Sequence, residues 1–292
     1  MWICPHPRGH IQALGTDARR RRQYLYHPKW RERRDRAKFG RDARLRARAA
    51  RRPRERVASE LAASDELTRE RVLACAVRLL DRHSFRVGGE EYAADNESFG
   101  LATLRKDHVK LNGHRRLSGE ERHAARAPDI HDFVLKLRRR RGGGPELLAP
   151  RRGRTWTDLR SEDINAYVKE VAGERFSAKD FRTWHATVLA AVSLAVSGQV
   201  ARASQSARKR AKTHAVNEVA RYLGNTPAVA RASYIDPRVF DRYDAGLTIE
   251  GALPQLVSGD EIGLPGLQPE LEAAVLDLIA DPESSDAVER VS

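Results

Sequence analysis

The amino-acid sequence predicts an α+β fold, in which a mainly α-helical body follows a small, partial strand-containing N-terminal lobe. Strand signals are concentrated in the first 27 residues, whereas later apolar residues recur at the spacing of buried helix faces. Hydrophobic residues make up 40% of the 292 and aromatic residues only 6%. We therefore expect short helices rich in alanine, leucine and valine, packed around few large side chains.

The N-terminal segment 2–27 has the pattern of a β-hairpin. Two short runs at 10–14 and 23–26 combine apolar and aromatic residues. The turn-forming residues beside them are Pro5, Pro7, Gly9 and Gly15. A lone two-stranded ribbon is only marginally stable in water, so the chain is expected to begin inside a domain rather than at its edge.

Two helical segments of different character follow the hairpin. Residues 29–62 are dense in arginine and sparse in apolar side chains, which fits either a solvated, partly disordered helix or one that grips phosphates. Residues 68–81 are predicted to form a core helix, because apolar residues follow one of its faces. That face comprises Val72, Leu73, Ala76, Val77, Leu79 and Leu80. A shorter helix-like stretch follows at 101–105.

The middle of the chain has weaker patterns. Residues 109–127 show almost no apolar alternation, and 112–122 is predicted to be poor in strands. Four arginines at 138–141 precede three glycines, which is typical of a basic helix end followed by a flexible turn. No phosphate-binding loop is implied, because no Gly-Lys-Ser/Thr sequence follows these glycines.

Three further helices and a capped turn are predicted towards the C-terminus. The helical segments are 163–171, 183–197 and 206–223. Gly224 ends the last of them, and Thr226 then has the position of a helix N-cap with Pro227 in the first turn. Tyr234 emerges just after this turn, before an Asp-Pro pair that breaks the structure.

Charge is distributed unevenly along the chain. The net charge is +14, but residues 244–292 carry eleven acidic residues and one basic residue, Arg290. The preceding 243 residues therefore have a net charge of +24. A strongly cationic body favours a polyanionic partner, because Lys and Arg contacts to phosphate dominate nucleic-acid affinity.

Cysteine and histidine usage predicts neither disulfides nor a metal site. Cys4 and Cys75 have no disulfide-like spacing, and Cys75 falls on an apolar helical face. Cys4, His6 and His10 lack the second pair of ligands that a zinc site needs. The sequence has neither a signal peptide nor a long apolar span, so we expect a reduced, cytoplasmic protein and no membrane partner.

Three ordered motifs carry a resemblance to a known family. They are Phe-Arg-Val-Gly-Gly-Glu-Glu-Tyr at 85–92, Lys-Asp-Phe-Arg-Thr-Trp-His at 179–185, and Leu-Gly-Asn-Thr-Pro at 223–227 followed by Tyr234. Together they resemble the type IB DNA topoisomerases of the bacterial and poxvirus kind, whose catalytic domain is related to that of tyrosine recombinases. The resemblance covers most of residues 1–243 and implies a bacterial, nucleoid-associated monomer that acts on double-stranded DNA.

The resemblance implies that Tyr234 is a nucleophile that attacks a DNA phosphodiester. A phenol is a poor nucleophile unless that phosphate is electrostatically activated. Arg86 and Arg182 would hold the non-bridging oxygens, and Asn225 would donate a further hydrogen bond. The products would be a 3′-phosphotyrosine and a free 5′-hydroxyl, and strand rotation and religation would then relax supercoils without ATP, metal or any other cofactor.

Further residues are predicted to contact DNA. Lys179 precedes Arg182 on the same short segment and is predicted to contact a phosphate. The sequence around Gln23, Tyr24 and Tyr26 resembles the family's N-terminal DNA-contacting strand. These three residues and Tyr92 could either touch DNA or pack inside the protein.

Three regions are expected along the chain. Residues 1–62 would form a partial N-terminal DNA-clamp lobe with a basic linker, 63–245 the catalytic domain, and 246–292 an acidic C-terminal tail with a short helix near 269–280. The resemblance implies that the first two wrap duplex DNA as a C-shaped clamp, although the family normally has more chain before this lobe. The acidic tail suggests competition with DNA for the basic surface.

The general acid of the family is a lysine in a β-hairpin between the two arginine motifs, and no counterpart is identifiable here. The lysines of that interval are Lys106, Lys110, Lys136, Lys169 and Lys179. Leu117, before a Ser-Gly pair, occupies the corresponding place. Arg115 or Arg116 could supply charge, but arginine transfers a proton poorly. The sequence therefore predicts impaired cleavage with DNA binding retained.

Two alternative functions remain open. A tyrosine recombinase would share the arginines and the tyrosine, but recombinases usually have histidine three residues before the second arginine, where this chain has Lys179. A catalytically lapsed DNA-binding remnant would bind DNA without forming a covalent adduct.

Overall fold

The computed structural model confirms the α+β fold, with a mainly helical body and small antiparallel sheets. It describes residues 1–17, 22–39, 43–64, 66–83, 85–89, 99–112, 116–118, 124–126, 130–201, 204–253, 269–280 and 288–290. Two compact units divide the chain, Met1–Leu45 and Arg46–Ser292. Among the described residues, no helix has the length and hydropathy needed to span a membrane.

The first unit contains a three-stranded antiparallel sheet. Its strands pair in the order β1 (Trp2–Ile3), β2 (Ile11–Thr16) and β3 (Arg22–Tyr26). The predicted hairpin is thus confirmed, and β1 adds an edge strand that the sequence pattern did not indicate. Helix α1 (Pro28–Phe39) follows at once, because the fixed φ of Pro28 suits the first turn of a helix.

The second unit is built mainly from helices. The helices from α2 onward are α2 (Ala43–Ala62), α3 (Arg69–Arg82), α4 (His131–Arg139), α5 (Ser161–Ala172), α6 (Ala178–Ala201), α7 (Gln205–Leu223), α8 (Pro227–Ser233), α9 (Arg238–Asp244) and α10 (Pro269–Ala280). Single-turn 3-10 helices lie at Leu101–Thr103 and Glu250–Ala252. The helices predicted at 68–81, 163–171, 183–197, 206–223 and 269–280 are confirmed, with ends that differ by up to five residues.

Helix α3 supplies much of the hydrophobic core of this unit. Thr68 caps its first turn by accepting a hydrogen bond from the Arg71 N–H at 3.4 Å. The predicted apolar face is buried throughout, as Val72, Leu73, Ala76, Val77, Leu79 and Leu80. This face packs against α5 and α6, so the sequence-based assignment of a core helix is confirmed.

One prediction about the middle of the chain is wrong. The segment 112–122, predicted to be poor in strands, takes part in a three-stranded antiparallel sheet of β4 (Lys110–Asn112), β5 (Arg116–Ser118) and β6 (Ala124–Arg126). Leu117 pairs with Leu111 on one side and Ala125 on the other. The backbone N–H and C=O groups that form such a ladder are present in every non-proline residue, so short strands can pair without apolar alternation.

Two pairs of very short strands complete the second unit. The pair β7 (Arg151–Arg152) and β8 (Thr155–Trp156) forms a hairpin between α4 and α5. Strand β9 (Leu247–Thr248) pairs with β10 (Glu289–Arg290) near the end of the chain. The C-terminal segment is therefore tied by backbone hydrogen bonds to the residues that follow α9.

Helix α10 shows that the acidic C-terminal region contributes to the core. Its apolar face is buried against α6 and α9, through Leu271, Val275, Leu278 and Ile279. Its buried Glu272 accepts hydrogen bonds from Arg54 of α2 at 2.7 and 2.8 Å, and Arg54 also pairs with Asp81 of α3 at 2.8 Å. Deleting residues 250–292 would remove this packing, so such a deletion cannot test competition between the tail and DNA by itself.

Replacing Arg54 by alanine is expected to destabilise the protein strongly. Asp81 and Glu272 would stay buried without their counter-ion, which typically costs about 3–5 kcal/mol in the free energy of unfolding. Urea denaturation followed by circular dichroism measures this loss. The control is Arg56→Ala, because the Arg56 side chain is exposed and its ion pair with Glu60 should contribute little. Equal unfolding midpoints for Arg54→Ala and the unaltered protein would contradict the prediction.

Candidate active site

Tyr234 is placed by a short, well-capped helix. The Thr226 hydroxyl accepts a hydrogen bond from the Val229 N–H at 3.4 Å, and Pro227 occupies the first turn of α8. Tyr234 follows the last residue of α8, and its N–H donates to the Ala230 carbonyl at 3.0 Å. The half-buried side chain thus projects from a fixed helix end rather than from a long loop.

Arg182 lies in the second turn of α6 and reaches Tyr234 from beneath the surface. The residue is 3% exposed, and its Nη2 donates to the Leu223 carbonyl at 3.0 Å. Its guanidinium carbon lies 5.2 Å from the centroid of the Tyr234 ring. Burial lowers the pKa of Arg182 and the charge of Arg86 adds to this shift, while interaction with Tyr234 opposes it. The buried guanidinium of Arg182 thus lies directly beside the phenol of Tyr234.

Lys179 lies one helical turn before Arg182 and shares its face of α6. Its side chain is exposed, and its Nζ lies 5.5 Å from the centroid of the Tyr234 ring. The two cations therefore flank the same phenol. One of them is buried, and the other is open to a ligand from solvent.

Arg86 is positioned by the close approach of two glycines. Gly88 has a φ of +82°, and a Cβ on Gly100 would lie only 2.3 Å from the Gly88 Cα. This contact lets the Leu101 and Ala102 N–H groups donate to the Arg86 and Val87 carbonyls at 2.8 and 2.7 Å. The backbone around Arg86 is thereby fixed to the 3-10 helix, while its side chain stays exposed.

The side chain of Arg86 meets the turn between α7 and α8. Its Nη2 donates to the Gly224 carbonyl at 3.1 Å and to the Asn225 Oδ1 at 2.7 Å. Gly224 makes this turn possible, because its φ of +63° is left-handed and favours glycine. Since a guanidinium only donates, the amide oxygen of Asn225 must face Arg86.

The amide nitrogen of Asn225 completes the site. This Nδ2 atom is buried and has no hydrogen-bond partner within the described parts of the chain. A buried donor without an acceptor is costly, so the site favours a ligand that brings an acceptor oxygen. The structure thus brings five predicted residues together: Arg86, Lys179, Arg182, Asn225 and Tyr234.

Sequence reasoning missed a buried hydrogen-bond junction behind Tyr234. The Thr187 hydroxyl donates to the Thr183 carbonyl at 2.8 Å and accepts from the Asp236 N–H at 3.2 Å. The buried Asp236 is held in turn by a bidentate pair with Arg238. The junction links α6 to the segment that carries Tyr234. In the sequence, only the Asp-Pro pair before α9 marked the place of this hydrogen-bond junction.

The chemistry of this cluster suits a phosphate diester. Its polar groups are three cations, an amide donor and a phenol, and cations with N–H donors are the groups that bind phosphate oxygens. Among the described residues, no group of three His, Cys, Asp or Glu side chains could hold a metal ion. The arrangement can therefore place several positive charges around a bound phosphate, next to a potential nucleophile.

The remaining predicted DNA contacts lie elsewhere in the chain. Gln23, Tyr24 and Tyr26 belong to β3 of the first unit, where Tyr24 is 43% exposed. The Tyr26 ring stacks on Trp30 at 4.6 Å, and the Gln23 amide donates to Asp17 at 3.0 Å. Their contacts with DNA stay predictions, and Tyr92 lies outside the described residues.

His185 lies on α6 just beyond the arginine motif but has a structural character. It is 2% exposed, and burial lowers its pKa to about 4, with Asp81 opposing and Arg54 adding to the shift. The imidazole is therefore neutral at pH 7.

The low pKa of His185 predicts a loss of stability in mild acid. The unfolded chain takes up a proton near pH 6.5 and the folded protein only near pH 4, so stability falls as pH drops between these values. The loss should approach about 3 kcal/mol. Urea denaturation at several pH values measures it, and His185→Gln should show a shallower dependence. The same pH dependence in both proteins would contradict the prediction.

Comparison with known proteins agrees with the geometry. A family model for the catalytic core of eukaryotic DNA topoisomerase I matches residues 27–120 and 148–254. The chain is also similar to DNA topoisomerase 1B of Acanthamoeba polyphaga mimivirus, with 26% identity over 257 residues, or 80% of this chain and 73% of that protein. All five clustered residues fall inside the ranges matched by the family model.

Proposed function

The chain belongs to the DNA topoisomerase I catalytic-core family, and from this premise we propose that it relaxes supercoiled duplex DNA through a transient single-strand break. The observation that supports this proposal most directly is that Lys179 and Arg182 flank the Tyr234 ring. Arg86 bonds to Asn225 in the turn whose Leu223 carbonyl accepts from Arg182. These groups come from three separated segments of the sequence. A half-buried tyrosine that served only for packing would not require these basic side chains beside it.

In the proposed reaction, the Tyr234 hydroxyl attacks the phosphorus of a DNA phosphodiester. The phenol gives up its proton as a bond forms between the tyrosine oxygen and phosphorus. The bond to the 5′-oxygen breaks, and that oxygen takes up a proton, so protons balance over the step. The products are a 3′-phosphotyrosine and a free 5′-hydroxyl. Because one phosphoester replaces another, the reverse reaction can reseal the strand after rotation without ATP.

The two arginines would stabilise the charge that develops in this reaction. Arg182 is buried beside the phenol. Arg86 comes from a different segment of the chain and bonds to Asn225 in the turn between α7 and α8. Guanidinium groups match the non-bridging oxygens of phosphate, and fixed charges stabilise a transition state more than mobile ones. Asn225 would add a hydrogen bond from Nδ2, and Lys179 would contact a neighbouring phosphate. We propose that this set works without a metal ion.

Protonation of the leaving 5′-oxygen is the step of the proposed reaction with the weakest candidate residues in this chain. Leu117, which we align with the family's lysine, lies in β5 of a short sheet. Lys110 begins β4 of the same sheet and lies opposite Ser118. We propose that cleavage is slow because no lysine occupies the place of Leu117. A rate of supercoil relaxation typical of an unimpaired enzyme would contradict this part of the proposal.

A plasmid assay tests the proposed function. Purified protein is incubated with negatively supercoiled plasmid, without ATP and with a chelator, and the topoisomers are separated on a gel. Detergent quenching traps any covalent adduct, and digestion with mass spectrometry identifies the DNA-linked peptide. We expect relaxed topoisomers and an adduct on Tyr234. An adduct on another residue would overturn the assignment.

The second candidate is a catalytically lapsed DNA-binding protein, which the leucine at position 117 favours. It would bind duplex DNA in the same assay and give neither relaxation nor adduct. A recombinase is a weaker proposal, because the matched family is that of the topoisomerases and Lys179 replaces the histidine expected of recombinases.

A further inference from the structure

A second basic surface lies outside the cluster around Tyr234. It consists of the C-terminal end of α4 and the β7–β8 hairpin, and residues 136–160 contain nine basic and two acidic residues. Five of its arginines are exposed and have no carboxylate partner in the described parts of the chain. These are Arg138, Arg139, Arg141, Arg152 and Arg154. We call this set the Trp156 basic surface.

Trp156 joins the two halves of this surface. A Cβ on Gly142 would lie 2.5 Å from the indole Nε1, and one on Gly143 would lie 2.8 Å from the Trp156 Cβ. The glycine turn after α4 therefore packs directly on the indole. On the hairpin side, the Arg151 guanidinium carbon lies 5.9 Å from the ring centroid. Trp156 thus contacts both the turn after α4 and the hairpin that carries Arg152 and Arg154.

Arg140 fixes the same turn from below. Its buried guanidinium donates to the Leu137 and Leu147 carbonyls at 3.1 and 2.9 Å, and also to the Glu146 carbonyl. The two acidic side chains of the stretch, Glu146 and Asp158, interact electrostatically with Arg140. Their charge is therefore shared with the buried Arg140, and the five exposed arginines outnumber the two carboxylates of this stretch.

We propose that the Trp156 basic surface binds the phosphate backbone of duplex DNA, in addition to the contacts made around Tyr234. Exposed like charges repel one another, and a polyanion relieves this repulsion with release of counterions. Arginine forks also suit phosphate better than lysine does. The inference rests on the proposed function for its choice of DNA. The α4 arginines lie in residues 121–147, outside the family-model match, whereas the β7–β8 hairpin lies inside it.

The test measures binding rather than cleavage. All proteins carry Tyr234→Phe, and binding of a labelled duplex is measured by fluorescence anisotropy at several salt concentrations. Combining Arg152→Ser with Arg154→Ser should lower the slope of log affinity against log salt by about 2, because each lost phosphate contact removes about 0.9. Affinity near 0.15 M salt should fall about 10-fold or more.

The matched control removes the same net charge from ion-paired arginines. Arg69 and Arg221 are exposed and pair with Asp163 and Glu218, so changing both to serine should leave the salt slope nearly unchanged. An unchanged slope in the Arg152 and Arg154 variant would overturn the proposal. An equal fall in the control would also overturn it, because net charge alone would then explain the effect.

A second variant tests the geometry while keeping every charge. Gly142→Ala places a methyl group against the Trp156 indole and should push the α4 arginines away from the hairpin. We expect weaker duplex binding by this variant, with unchanged hydrogen-exchange protection of the α6 and α7 amides. Since Tyr234→Phe cannot cleave, a failure of the proposed relaxation activity leaves this binding result intact, and the two outcomes remain distinguishable.

Discussion

Replacing Tyr234 by phenylalanine is expected to abolish both relaxation and adduct formation while leaving DNA binding intact. The phenyl ring can keep its contacts with Lys179 and Arg182, so the change removes only the hydroxyl that would attack phosphorus. Loss of a covalent nucleophile commonly lowers turnover by about 10⁴-fold or more. Initial rates of plasmid relaxation and detergent-trapped adducts measure the effect.

The matched control for this experiment is Tyr167→Phe. The Tyr167 hydroxyl donates to Glu60 at 3.0 Å, and the ring is buried in the core of the same unit. Its loss should affect stability slightly and leave adduct formation in place. Adduct formation by Tyr234→Phe would show that another residue is the nucleophile, and the proposed site would then be wrong.

Replacing Arg182 by alanine is expected to give the second largest loss of activity. Arg182 is buried against the phenol of Tyr234 and is tied to the end of α7 through the Leu223 carbonyl. Removal of one fixed donor to a developing charge typically costs about 10²–10³-fold in rate, or about 3–4 kcal/mol. Single-turnover cleavage of a short duplex measures this loss separately from DNA affinity.

Arg182→Lys separates the charge of this residue from its geometry. Lysine keeps a positive charge but lacks the planar fork that can hold a phosphate and the Leu223 carbonyl together. We expect its cleavage rate to lie between those of Arg182→Ala and the unaltered protein, with similar unfolding midpoints for both variants. A normal cleavage rate in a folded Arg182→Ala protein would remove Arg182 from the proposed mechanism.

Several elements were predictable because their signals are local. Thr226 caps a helix, and Gly224 ends one in a left-handed conformation, as their positions in the sequence indicated. Each of these roles depends on the residue's own side chain or on φ. The apolar face of α3 was equally clear, because its spacing repeats over almost four turns.

Other features depend on pairings that no local pattern records. The sheet of β4, β5 and β6 arises from backbone bonds between short segments with little apolar character. Arg54 looked like one of many arginines in a basic stretch, yet it joins buried carboxylates 27 and 218 residues away. The sequence shows that such residues are charged, but it does not show which partners they will pair with inside the folded protein.

The sequence by itself determined the helical character of the chain, the positions of its caps, its basic charge and the residue types of the proposed site. These properties follow from side-chain chemistry and spacing within a few turns. Only the tertiary structure decided that Arg86 would bond to Asn225 and that Thr187 would link α6 to the segment of Tyr234. The physical reason is that these contacts join residues 47–139 positions apart, where chain packing rather than local conformation sets the geometry.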